Sequence, residues 1–113
     1  MSKNPTVSVI IRTKNEERWI TPCFKALYEQ TFIDFEIVVV DNDSTDKTLD
    51  KIRQYPVDKI VSIKDYRPGK ALNLGIEKAD GRYFVCLSIH CIPVASTWLE
   101  TLVKAIEEDP DYA

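Results

Sequence analysis

Four short runs rich in β-branched and apolar residues, each followed by a segment with helical spacing, constrain this chain more than any other feature. The runs cover residues 6–12, 35–40, 59–63 and 82–87, and Pro5 marks the start of the first. Runs that are apolar at nearly every position fit strands covered on both faces, as in a parallel sheet. After the first run, Trp19, Ile20, Cys23, Phe24, Leu27 and Tyr28 recur with helical period. A second helix is expected over 45–55, with Leu49 and Ile52 inward and Pro56 ending it. Ala71, Leu72, Leu74, Gly75 and Ile76 mark a third, closed near Asp80 and Gly81 by a glycine suited to positive φ. A fourth opens on a Thr97-x-x-Glu100 capping box, buries Trp98, Leu99, Leu102, Val103 and Ile106, and closes at Asp109-Pro110. This alternation with short connections predicts an α/β fold: a doubly wound, mainly parallel sheet of about four strands with flanking helices.

A chain of 113 residues accommodates one domain, spanning 1–113. A net charge of −3 and the lack of any basic run exclude a nucleic-acid partner. Three cysteines, Cys23, Cys86 and Cys91, cannot all pair, so reduced thiols and a cytoplasmic location are expected, with Cys86 in the core. No apolar run approaches the ~20 residues that span a bilayer, and residues 1–5 lack the apolar stretch of a signal peptide. The chain breaks off just after its last helix, which reads as a fragment of a longer protein.

In an open α/β sheet, ligands bind beyond the carboxyl ends of the strands. Four polar segments fall there: 12–17, 41–46, 66–70 and the triplet Ser88, Ile89, His90, which holds the only histidine. Ser44, Thr45 and Asp46 suit capping of the helix that follows. Asp41 stands before the cap, where a carboxylate can hold ribose hydroxyls or a base N–H. Arg67 and Lys70 put two cations at a helix start, an arrangement that opposes the helix dipole unless an anion binds. Cys86 and His90 on one strand face and Cys91 on the other argue against a zinc cluster built from these three alone.

The segments VSVIIRTKNEE, DFEIVVVDNDSTDKT, GKALNLG and ADGRYFVCL occur in this order, with the triplet after the last. Together they resemble the N-terminal, nucleotide-sugar-binding half of a family 2 glycosyltransferase with the Rossmann-like GT-A fold, from Val7 to about Pro110. The resemblance implies a nucleotide-diphospho-sugar donor, with Arg12, Thr13 and Glu17 flanking its base and ribose. It implies Asp41 on the base or ribose, with Asp43 nearby, and Arg67 or Lys70 with Asn73 along the base and diphosphate. Ser88 and His90 stand where the family usually has Asp-x-Asp, whose acids hold Mn²⁺ or Mg²⁺ against the donor diphosphate. In this variant His90 is the candidate metal ligand, and Ser88 assists only through its hydroxyl. Two further departures are Lys14, where relatives often have an aromatic residue, and Asp43, where they often have glycine.

The implied reaction is displacement at the anomeric carbon, usually with inversion, assisted by a base that takes the acceptor's proton. The family's second half supplies that base and the acceptor site, so no catalytic residue is expected in this fragment. The acceptor could be a sugar, lipid or protein, and the parent enzyme could work at the inner face of a membrane. An uncovered edge on the fourth strand would invite a homodimer. A non-catalytic nucleotide-binding or regulatory module is the main alternative, supported by the altered triplet. A nucleotidyltransferase fits less well, because the loop at 12–17 has no glycine. A phosphorelay receiver lacks its acidic pair after the first strand and its aspartate after the third, where Lys64 and Asp65 stand.

Overall fold

The computed structural model describes residues 4–64 and 67–108, so Tyr66, Asp65 and Asp109-Pro110 lie outside the described residues. Four strands, β1 (Val7–Thr13), β2 (Phe35–Asp41), β3 (Lys59–Ser62) and β4 (Tyr83–Ser88), alternate with four helices. The helices are α1 (Glu17–Tyr28), α2 (Thr48–Ile52), α3 (Pro68–Lys78) and α4 (Trp98–Glu108). The sheet runs in the order β3-β2-β1-β4, and every neighbouring pair is parallel. The expected parallel α/β architecture is therefore present, with β1 central and flanked by β2 and β4.

Both faces of β1 and β2 are buried apart from Arg12, which explains their largely apolar sequence. One face carries Val7, Val9, Ile11, Ile37 and Val39 against Ile20, Phe24 and Leu27 of α1, Ile52 of α2, and Leu99 and Val103 of α4. On the other face, Val40 and Ile63 meet Ala71 and Leu74 of α3. Gly75 lets α3 lie close to the sheet: a Cβ there would sit 2.6 Å from Ile10 Cγ2.

β4 departs from expectation. Its residues alternate between partly covered and exposed, and Phe84 and Cys86 are exposed. Cys86 is thus not a core residue. α3 covers β1 and β2 on that face and leaves β4 bare, so only the α4 side of the strand is packed. Cys23, by contrast, is fully buried in α1, and burial pushes its thiol up to about 11.

The second helix differs from the sequence expectation, whereas the fourth begins at Trp98 directly after Thr97, as expected, with further partners. α2 is shorter than 45–55 because side chains compete for the backbone groups that precede it. Asp46 Oδ1 takes the Thr48 N–H at 2.9 Å and also the Thr48 hydroxyl, from a position before the capping residue, Lys47. At α4, Glu100 accepts from the Thr31 hydroxyl (3.1 Å), while the buried Gln30 carboxamide accepts the Leu99 N–H at 3.0 Å. The same Gln30 donates to the carbonyls of Ala26 and Ala95, so one side chain ties the end of α1 to the start of α4.

The amino edge of the sheet is closed by a polar cluster. Ser8 Oγ donates to Glu36 Oε2 (2.6 Å), as does the Asp80 N–H (2.6 Å), and Lys59 reaches Glu36 at 3.1 Å and Asp80 at 2.6 Å. Gly81 completes it. It has no positive φ; a Cβ there would meet Ser8 Oγ, and would lie 2.5 Å from Ser8 N and 2.8 Å from the Val7 carbonyl carbon. The glycine is needed for close backbone approach rather than for a left-handed turn.

Candidate functional site at the carboxyl edge

Because all four strands are parallel, the loops after them gather at one edge of the sheet. The loops after β1 and β2 are knitted into a single surface. Asn15, left-handed at φ 51°, turns its Oδ1 to the N–H groups of Thr45 (2.8 Å) and Asp46 (3.3 Å). Its own N–H donates to Ser44 Oγ at 2.9 Å. The Glu16 N–H donates to Thr48 Oγ1 (2.8 Å), and Lys14 Nζ reaches the Asp43 carbonyl at 3.3 Å. Asp43 is also left-handed, at φ 53°. That conformation explains why a position often occupied by glycine accepts aspartate, one of the few other residues that tolerate it.

Asp41 is the last residue of β2 and is fully buried, not the first residue of an open loop. Its Oδ1 accepts from Thr13 Oγ1 (2.5 Å) and Ser44 Oγ (2.6 Å), and its Oδ2 from the Ser44 N–H (2.9 Å). These bonds close a clasp around its carboxylate. Asp41 fixes Thr13 at the end of β1 and the turn at Ser44, and these shape the surface a ligand would meet. Burial pulls Asp46 upward, but bonds from the Thr48 hydroxyl and the N–H groups of Thr48 and Glu17 outweigh it and hold its carboxyl below the usual range.

A cavity of about 180 Å³ opens at the end of β1, lined by Arg12, Thr13, Lys14, Glu16 and Asn42. Arg12 lies opposite Ser88 in the β1–β4 register, so this cavity adjoins the triplet. Glu16 rather than Glu17 lines it. The Glu17 backbone instead faces α2, its carbonyl accepting from Lys51 Nζ at 2.9 Å. Arg67 precedes α3 as its extended capping residue, and Lys70 and Asn73 are exposed in the first turns of that helix.

The triplet splits in two directions. Ile89 is buried, and Ser88 and His90 face outward. His90 lies in the turn past the strand end, where Ser88 Oγ accepts its N–H at 3.3 Å. Its Nε2 is 2.7 Å from Glu16 Oε2, and its ring lies 5.1 Å from that of Trp19, tilted by 56°. Neither partner was legible in sequence, since Glu16 and Trp19 read only as part of a polar loop and a helix face.

Residues 8–113 match the sequence profile of glycosyl transferase family 2. The chain belongs to that family. Among curated relatives, a dolichyl N-acetylglucosaminyl phosphate diacetamido-glucuronosyltransferase from Methanococcus voltae is 34% identical over 95% of this chain and 37% of its own length. Glycosyltransferase AglE from Haloferax volcanii is 38% identical over 90% of this chain and 36% of its own. This family member therefore spans about a third of these relatives. Among solved structures, Staphylococcus aureus TarS 1–349 in complex with UDP-GlcNAc superposes with a TM-score of 0.82 at 29% identity, over 91% of this chain and 31% of that one. Mannosyltransferase PcManGT from Pyrobaculum calidifontis, in complex with GDP-Man and Mn²⁺, gives 0.85 at 30% identity, over 96% and 34%. The GT-A nucleotide-sugar fold expected from the sequence motifs is thus confirmed.

Members of the family are commonly metal-dependent, and PcManGT is in complex with Mn²⁺, a cation that favours oxygen ligands. The residues at the triplet do not fit that requirement. They offer one hydroxyl and one imidazole, and the imidazole already holds a carboxylate. Among the described residues, no three His, Cys, Asp or Glu side chains converge as a metal cage. Nor, among those residues, is any helix long and apolar enough to cross a membrane.

Proposed function

We propose that this chain is the donor-binding part of a glycosyltransferase that passes a sugar from a nucleoside-diphosphate sugar to an acceptor. The observation that carries this reading is the cavity between Arg12, Thr13, Lys14, Glu16 and Asn42, at the carboxyl edge of a sheet shared with the two nucleotide-sugar complexes. Arg12 and Thr13 flank base and ribose, and Glu17 and Asp43 hold the walls of that pocket. Arg67, before α3, and Lys70 and Asn73 in its first turns face the diphosphate, and Ser88 bounds it from β4. Asp41 acts through Thr13 and Ser44. Cations and N–H donors at this edge suit a diphosphate leaving group, whose charge grows as the sugar departs. The acceptor site and the base that takes its proton belong to sequence outside this chain, which matches a third of its relatives. The acceptor is a sugar, lipid or protein, as in envelope polysaccharide assembly, and the three unpaired cysteines are in keeping with a cytoplasmic compartment.

Calorimetric titration with UDP, GDP and dTDP tests the reading. Saturable binding of one of them is expected, without sugar transfer by the chain alone. A folded chain that binds none of the three would favour a module that has given up the donor.

The outer edge of β4 has no neighbouring strand among the described residues, and Phe84 is exposed beside it. Such an edge pairs readily with another chain. A homodimer is expected in light scattering at high concentration; a monomer throughout would remove this partner.

A further inference from the structure

We propose that Cys23 and Cys91 close into a reversible disulfide that moves the turn after β4, and with it the rim of the carboxyl-edge cavity. The bond itself is independent of the donor-site reading; its effect on a nucleotide rests on that reading. Segment 90–96 runs along α1, and its contacts advance in step with the helix. The His90 ring lies 5.1 Å from that of Trp19. Ile92 packs on the cluster that holds Cys23. Pro93 and Val94 line a cavity with Pro22 and Ala26. Gln30 Nε2 donates to the Ala95 carbonyl at 3.0 Å, and the Thr31 N–H to that of Ser96 at 2.8 Å. Trp19 and Cys23 stand one turn apart on the same helix face, so Cys91, between His90 and Ile92, comes level with Cys23. Burial first, and the neighbouring Cys91 thiol second, push the Cys23 thiol up to about 11. Cys86 is kept apart from Cys23 by the sheet. It pairs with Ile10, which Gly75 of α3 overlies, whereas Cys23 lies on the α1 side.

Cys91 is exposed and Cys23 fully buried, so a low-molecular-weight disulfide such as oxidised glutathione reaches only Cys91 of the two. The Cys91 sulfur bonds one sulfur of that disulfide and expels the other as a thiol; the Cys23 sulfur then displaces the second. Two protein thiols are oxidised, one small disulfide is reduced, and both protons leave on the released thiols. The raised Cys23 makes the closing step the slow one. For the sulfurs to meet, Cys91 turns inward, because Cys23 is fixed in the core. The Cys91 N–H closes the turn on the Ser88 carbonyl at 2.9 Å, so that turn opens. His90 then moves away from Trp19 and from Glu16, which its Nε2 meets at 2.7 Å. Glu16 lines the cavity with Arg12 and Lys14, so the rim changes shape on oxidation.

Cys86→Ser removes the other exposed thiol and is the starting protein for the test. After incubation with oxidised glutathione, mass spectrometry should find the Cys23 and Cys91 peptides joined, with no glutathione retained. The joined protein should melt ~5 °C or more above the reduced one, since the bond closes a long loop, and dithiothreitol should reverse the change. His90 is the only histidine, so the shift of its ring resonances as it leaves Trp19 is unambiguous. Calorimetry at one fixed pH, with whichever of UDP, GDP and dTDP binds, should give roughly tenfold weaker affinity in the oxidised protein. Cys91→Ser on the same background should be indifferent to oxidised glutathione in all these measurements. A Cys91 that stays reduced or keeps its glutathione overturns the proposal. So does a Cys23–Cys91 bond that leaves the His90 resonances, or a measurable nucleotide affinity, unmoved. A bond that moves those resonances while neither form binds a nucleotide supports the redox switch and overturns the donor-site reading.

Discussion

Asp41→Ala is expected to lower the melting temperature by roughly 15 °C or more and to abolish nucleotide binding. Asp41 is fully buried and accepts three hydrogen bonds, from Thr13 Oγ1, Ser44 Oγ and the Ser44 N–H. Alanine leaves those donors without their carboxylate partner. Each buried donor orphaned in this way costs about 1–3 kcal/mol, so the sum is about 3–5 kcal/mol once some relaxation is allowed. That is a large share of the stability of a domain this size. The consequence for binding is separate from the loss of stability. Ser44 Oγ also receives the Asn15 N–H, so releasing Ser44 loosens the loops after both β1 and β2. Asp41→Asn should fall between wild type and alanine, because one end of its amide can still accept but the other presents N–H groups to donors. Thermal melting checks the first claim, and nucleotide titration of the Asn variant, below its melting point, checks the second. An alanine variant that melts within a few degrees of wild type would show that the clasp carries little.

The clasp also shows where sequence reasoning succeeds and where it stops. The apolar runs at β1 and β2 read directly as buried strands, because burial on both faces leaves few polar positions to confuse the period. The order of elements followed, and with it the edge at which Arg12, Asp41, Arg67 and Ser88 gather. What was not legible is pairing between loops. Asp41 could be placed at a strand end, but its burial depends on Thr13 and Ser44 closing over it. The His90–Glu16 contact joins residues 74 apart, and neither carries a local signal of the other. Cys86 failed for a related reason. An apolar run predicts a strand but not how many helices cover it, and α3 packs mainly on β1 and β2. The cap of α4 comes from Gln30, on a different element, so the local Thr97-x-x-Glu100 pattern gave the helix start without its partner.

Glu36→Ala should cost about 2–4 kcal/mol at neutral pH, and the cost should shrink in acid. Glu36 is buried at the amino edge and gathers Ser8 Oγ, the Asp80 N–H and Lys59. Burial alone would push its carboxyl up. The bonds from Ser8 and Asp80 and the hydrogen bond and charge of Lys59 outweigh that and hold it below its ordinary 4.5. A carboxyl lowered by folding stabilises the fold fully above its unfolded value, and that contribution is lost as pH falls through the folded value. Lys59 behaves in the opposite sense. Burial works against its charge, but Asp80 and Glu36 raise it above its ordinary 10.5, so its share is complete below that value and is lost at higher pH. Because the Lys59 side chain is partly exposed, solvent screens its pairing, and the hydrogen bonds from Ser8 and Asp80 carry most of the effect. Glu36→Gln, which keeps the shape without the charge, should therefore sit between wild type and alanine at pH 7 and approach wild type below about pH 4. Urea unfolding of the three proteins from pH 3 to 8 measures this directly. A gap between wild type and Glu36→Gln that stays constant across that range would mean that Glu36 acts as a hydrogen-bond acceptor for Ser8 and Asp80 rather than through its charge.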